Sequence, residues 1–190
     1  MIVAILIALA FFGLVAGLIS TATLTIGWTS TLLSAADFGD GHNAQDSLSF
    51  TDKDNFTNGA GANQGNQHWH DNRSVSSGAD DDLDLNATLT DAFGASVTFT
   101  KVKALYIRNK STTDALRIGG GASNEWIGAA TPFLAAGDKI VLPPGADMLL
   151  RCPTAAGWTV TAGSADTLRV SHPGTTSAAI SYDIAILGAE

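Results

Sequence analysis

The chain has 190 residues and a formal net charge of −8, from 10 Lys and Arg against 18 Asp and Glu. That length gives one ordinary domain plus an appendage, and the acidity argues against nucleic acid as the main partner, because neutralising phosphates takes clustered Lys and Arg. The 20 glycines, the abundant Thr, Ser and Ala, and the restriction of Glu to Glu125 and Glu190 argue against a helical bundle.

Residues 1–19, MIVAILIALAFFGLVAGLI, carry no charged side chain. As a helix they would extend about 28 Å, close to a bilayer core. Ser20-Thr21-Ala22 offers a small-residue cleavage site, although the first basic side chain is Lys53. Three readings stand: a cleaved signal or retained membrane anchor, a helix packed within an assembly, or a misassigned start. The predicted organisation is a hydrophobic helix over 1–20 followed by a β domain over 21–190.

Thr21 to Trp28 alternates Thr with apolar residues and predicts a strand. Residues 34–45 read as loop, and Leu48-Ser49-Phe50 as a short strand. Phe56 to Gly78 is rich in Asn, Gln, Gly and Ser, which predicts a long surface excursion. The spine of the fold is expected between Asp82 and Asn109. Leu83 and Leu85 alternate with polar neighbours, Asp91-Ala92-Phe93-Gly94 reads as a turn, and Val102 to Ile107 is a near-continuous apolar run. Further strands are expected at 116–118, 139–142, 148–152, 158–161, 168–171 and 179–187. Short strands with turn residues between them predict an all-β protein, a jelly-roll-like β-sandwich with an N-terminal hydrophobic helix.

Candidate chemistry is sparse. On a strand, His68 and His70 would share a face and could hold Zn²⁺ with Asp71 or His42, but they stand in a polar stretch without a known ligand spacing. Asp80, Asp81, Asp82 and Asp84 form an oxygen-rich run that Ca²⁺ would suit, yet the Gly and distal Glu of an EF-hand are missing. The plainer reading of both is a solvated loop, and no cofactor is expected. Gly119-Gly120-Gly121 reads as a tight turn, because no convincing helix follows to cradle a phosphate. His172 stands at a turn with no obvious partner. Cys152 excludes an intramolecular disulfide framework and suits burial as a small apolar residue. With no nucleophile elbow and no paired catalytic carboxylates, no enzyme is predicted. Trp69, placed in the polar excursion, is the expected interface anchor, with Asn63, Gln64, Gln67 and Arg73 around it.

The stretch FTNGAGANQGNQHWHDNRSVSSGADDDLDLNATLTDAFGASVTFTKVKALYIRNKS resembles a family of small tailed-phage virion proteins. Its TNG, GANQ, LDL, DAFG and KVKAL pieces recur there in this order, and the later PPG and SYDI pieces are similar too. The resemblance covers roughly residues 46–188 and rests on structural rather than catalytic motifs. It implies a jelly-roll-like sandwich serving as a minor capsid, decoration or fibre-associated protein, located in the virion. The implied partners are copies of itself and other virion proteins. Residues 1–19 depart from the family pattern, which opens a membrane contact, or a secreted or membrane-anchored extracellular setting. Two rivals are an extracellular module that binds carbohydrate through Trp69 and Ca²⁺ at Asp80–Asp84, and a filament subunit with a helical N-terminal core.

Overall fold

Alternating apolar and polar residues, with β-branched and aromatic types on the apolar side, can bury one face only as strands laid side by side. The computed structural model describes residues 21–33, 45–121, 123–174 and 176–190. The expected helix over 1–20, and all but the last residue of the expected loop over 34–45, lie outside them. Among the described residues no helix is long and apolar enough to cross a membrane.

The chain runs through β1 (Thr21–Leu33), β2 (Gln45–Thr57), β3 (Gln67–Val75), β4 (Asp80–Asp84) and the short β5 (Leu89–Thr90) and β6 (Ser96–Val97). It continues through β7 (Lys101–Asn109), β8 (Leu116–Gly119), β9 (Lys139–Leu142), β10 (Asp147–Arg151), β11 (Trp158–Thr159), β12 (Thr167–Ser171) and β13 (Ile180–Ala189). One sheet has the order β10-β7-β13-β3, with β11 also on β7; the other has the order β4-β12-β8-β9. All the strand pairs are antiparallel, and four of them are nested. Innermost are β8 and β9, then β7 and β10, then β4 and β12, and outermost β3 and β13.

One buried cluster is shared by both sheets. Trp69, Leu105, Ile107, Tyr182 and Ile184 enter it from the first, and Leu83, Ile118, Leu142, Leu168 and Val170 from the second. Each such side chain contributes roughly 1.5–3 kcal/mol by leaving water. Trp126 closes one end of the cluster, edge-on to Phe133 and Trp158, with its indole N–H donated to the Thr159 carbonyl at 2.7 Å. Burying that ring costs nothing in lost hydrogen bonding.

Two features lock the sheets. At the edge, Arg73 on β3 donates both Nε and Nη2 to Asp81 on β4, at 2.6 and 2.8 Å, and Tyr182 on β13 donates its hydroxyl to the same carboxylate at 2.6 Å. The three side chains therefore tie β3 and β13 of one sheet to β4 of the other. Near the chain end, the β7–β13 register shifts between Leu187 and Gly188, leaving Lys103 as the extra residue of a bulge. Its ammonium is buried among the carbonyls of Gly61, Thr154 and Ala155. Gly188 faces so closely across this bulge that a Cβ would stand 2.3 Å from the Lys101 carbonyl.

Several expectations are corrected. The second part of the polar excursion, 67–75, is a strand, β3, because its residues Trp69 and Val75 supply an apolar side, while 58–66 remains irregular. Asp80 to Asp84 form β4 rather than a loop, since pairing with β12 puts Leu83 inward. Cys152 is half-exposed, with Sγ 3.5 Å from the Thr154 hydroxyl, not a core residue. His172 is buried and has partners: Nδ1 accepts from the Gly174 N–H and Nε2 donates to the Ala178 carbonyl, each at 2.9 Å. Gly119, at the end of β8, and Gly120 after it both take a positive φ, which glycine adopts freely.

A candidate docking surface at the β1–β2 arm

Among the described residues β1 and β2 pair only with each other, over thirteen residues each. Residues directly opposite in an antiparallel pair share a face, and the register sorts this ribbon cleanly. One face carries Thr21, Thr23, Thr25 and Thr29 opposite Thr57, Asn55, Lys53 and Ser49. The other carries Ala22, Leu24 and Ile26, with Phe56, Phe50 and Leu48 from β2 and Asp52 and Asp54 between them. Trp28 is the register partner of Phe50. The arm is thus amphipathic along its length.

Its base is covered. Phe56 is buried with Ala104 and Leu187, and Ala22 and Leu24 pack against this small cluster. Arg151 on β10 binds both Asp52 and Asp54. Its hydrogen bond first, and its charge second, hold the Asp52 carboxyl below the usual carboxylate range. The surface beneath is the outer face of the first sheet, and the strand register arranges it in rows. Arg151, Ala104, Leu187 and His68 form the row under the arm. Leu149, Tyr106, Ala185 and His70 form the next. Of that second row, Leu149, Tyr106 and Ala185 are only half-buried and His70 is exposed.

Two cavities flank the base. One of about 190 Å³ opens between Leu24 of the arm and Tyr106, Ala185 and Leu187 of the sheet. Another of about 320 Å³ lies between Thr21, the His68 and His70 side of β3, and Phe93 on the β5–β6 turn. The two imidazoles are 5.2 Å apart. Burial, and then the charge of His70, push the His68 imidazole down from its ordinary pKa. Outward from the base the apolar face continues, and among the described residues no layer covers it: Leu48 is 52% exposed and Phe50 46%.

The residues singled out in the sequence are dispersed. Trp69 is 3% exposed and points into the core, so it is not a surface anchor in this subunit. Arg73 is occupied by Asp81 and Asp71. Gln64 turns its carboxamide oxygen to the Gly61 N–H at 2.8 Å, and Gln67 donates to the Glu190 carboxylate at 3.1 Å. Asn63 is exposed, at a positive φ of 52° in the turn that leads from β2 to β3. Asp80 and Asp82 both pair with Arg169, and Asp84 accepts from the Asn86 N–H. His68 and His70 do share a face, as expected of a strand, but among the described residues no three His, Cys, Asp or Glu stand close enough to hold a metal ion.

Leu48 and Phe50 carry the exposed surface, and sequence reasoning treated them only as a short strand. The signal was present in the matching alternation of Leu24 and Ile26 against Leu48 and Phe50. No protein-family model matches the chain. No curated protein matches it, and neither does a solved structure.

Proposed function

We propose that the protein is a non-enzymatic structural subunit of a virion, assembling with copies of itself and with other virion proteins. The observation that carries the assembly reading is the β1–β2 arm, whose apolar face runs past the surface that covers its base among the described residues. A two-stranded ribbon is marginal in water unless a further strand or an apolar layer supports it. Exposed Leu48 and Phe50 are what an intersubunit contact would bury. The virion setting rests on the resemblance of residues 46–188 to the tailed-phage family.

A jelly-roll-like body fits the same reading. Its support is the nested pairing of β3 with β13, β4 with β12, β7 with β10 and β8 with β9, the order that a long hairpin wound on itself produces. The rival reading as a carbohydrate-binding module draws less support. Trp69 is buried, and Asp80 and Asp82 are engaged by Arg169.

Sedimentation velocity of the full chain, in non-denaturing detergent to keep residues 1–19 soluble, tests the assembly reading. Concentration-dependent oligomers that Leu48→Asp with Phe50→Asp dissolves are expected. A monomer at every concentration would contradict it.

A further inference from the structure

We infer that Asn58, at the root of the arm, is a site of spontaneous modification. Its carboxamide is converted through a cyclic imide into an aspartate or an isoaspartate, with no enzyme required. Nothing in this chemistry depends on assembly, since the junction between β2 and β3 belongs to a single subunit.

Asn58 is followed by Gly59, and this is the one Asn-Gly pair in the chain. The reaction brings the backbone nitrogen of the next residue onto the Asn side-chain carbonyl carbon, and a glycine puts no Cβ in the way. The fold requires glycine at this place. Gly59 has a φ of 139°, and a Cβ there would stand 2.6 Å from Gln64 Oε1. The fold also leaves both reacting groups disengaged. Asn58 is exposed, directly after the last residue of β2. Among the described residues neither its carboxamide nor the Gly59 N–H has a hydrogen-bond partner. Other asparagines are held: Asn66 accepts from the Glu190 N–H, Asn72 donates to Asp183, and Asn86 donates to the Phe99 carbonyl.

Charge favours the step. Lys101 donates to the Ala60 carbonyl at 3.4 Å, and the buried Lys103 donates to the Gly61 carbonyl at 3.3 Å. Two ammonium groups are thus bound to the two residues that follow Gly59. They favour the negative charge that gathers on the Gly59 nitrogen, and then on the carboxamide oxygen, as the ring closes.

Water is the one co-reactant. A base in solvent takes the Gly59 amide proton, and the nitrogen bonds to the Asn58 Cγ. The Cγ–Nδ2 bond then breaks, and ammonia leaves with a proton from water. Water opens the imide at either carbonyl, giving the aspartate or the isoaspartate, each with a new negative charge. The isoaspartate also adds one methylene to the main chain. The backbone around it is pinned: the Thr57 N–H donates to the Asn63 carbonyl at 3.0 Å, the Gly65 N–H to the Thr57 carbonyl at 2.9 Å, and the Asn63 N–H to the Pro153 carbonyl at 2.8 Å. The added link must be taken up between 58 and 62, so the change stays at the root of the arm.

The test incubates the full chain in detergent at mildly alkaline pH and follows its intact mass. Peptide mapping and labelling with an isoaspartate methyltransferase locate the change. A gain of about 1 Da is expected in the peptide that holds residue 58, ahead of every other asparagine. Its rate should rise with pH, and Asn58→Gln should abolish it, because a larger ring would have to close. Lys101→Gln should slow it about threefold. Unchanged far-ultraviolet dichroism establishes that each variant folds. Asn58 left intact in the folded chain, but converted in urea, would overturn the inference, because the fold would then protect the site. So would a first conversion at another asparagine. An unchanged rate in Lys101→Gln would overturn the part given to the ammonium groups.

Discussion

The two-sheet body and the arm are written in the same code and end in different states. Strand β13 alternates Ile180, Tyr182, Ile184 and Ile186 toward the core, and every one of them is buried. The arm alternates Leu24 and Ile26 with Thr, on the same face as Phe50 and Leu48 of β2, yet Phe50 and Leu48 are exposed. The difference lies in what stands opposite. The body strands face a second sheet, whereas among the described residues the arm meets the sheet only as far as Phe56, Leu24 and the Arg151 clamp. Pattern decides which face is apolar, and topology decides whether that face is covered within one subunit.

The largest effect should come from breaking the body. Trp126→Ala removes a buried ring, its contacts with Phe133 and Trp158, and the donor to Thr159. We expect a loss of about 3–5 kcal/mol in urea unfolding. Ile26→Ala, on the arm, should change the isolated subunit by no more than about 0.5 kcal/mol. Equal losses at the two sites would erase the distinction between body and arm.

A smaller effect is expected at the edge staple. Asp81→Ala leaves Arg73 and Tyr182 without their shared acceptor. Because the pair is partly open to solvent, the expected cost is about 2 kcal/mol rather than that of a fully buried pair. The pH profile should carry its signature. Burial opposes ionisation of Asp81, but hydrogen bonds from Arg73 and Tyr182 and the charge of Arg73 hold its carboxyl below the usual range. Its contribution is therefore present above the unfolded value of about 3.9 and lost as pH falls toward the lower folded value. Tyr182 is shifted the other way, upward, by burial first and then by its bond to Asp81. That contribution is present below about pH 10 and lost as pH rises beyond it. Urea midpoints of Asp81→Asn across pH should show both limbs flattened; unchanged limbs would remove the staple from the account.

The smallest effect should be local to the arm. Arg151→Ala removes the clamp on Asp52 and Asp54. Global unfolding should move little, while limited proteolysis within 45–57 should accelerate, more so at low salt where the lost attraction is least screened. Unchanged proteolysis would mean that Phe56 and its apolar neighbours alone seat the arm.

Much of the body was readable from residues. β7 stands within its apolar run, and β9 runs over the expected 139–142, because Pro143-Pro144-Gly145 stops it. Composition misled where it was averaged. Asn, Gln and Gly near residues 58–66 made the whole stretch to Gly78 look like loop, although Trp69 and Val75 alone give β3 an inward face. The aspartates of β4 looked solvated because their partners, Arg73 and Arg169, are far away or on another strand. Such pairings are long-range facts that local spacing does not contain. The docking surface was legible only in halves. Its rows are assembled from β10, β7, β13 and β3, and no window of the sequence holds more than one of them.

The most direct measurement is amide hydrogen exchange on the full chain in detergent at two protein concentrations. If the arm is covered by other copies, amides in 21–33 and 45–57 should be protected at high concentration and lose that protection on dilution. Amides of β7 and β13 should stay protected at both. Arm amides as slow as those of β7 in the diluted protein, or equally fast at both concentrations, would contradict the claim that a second copy completes the arm.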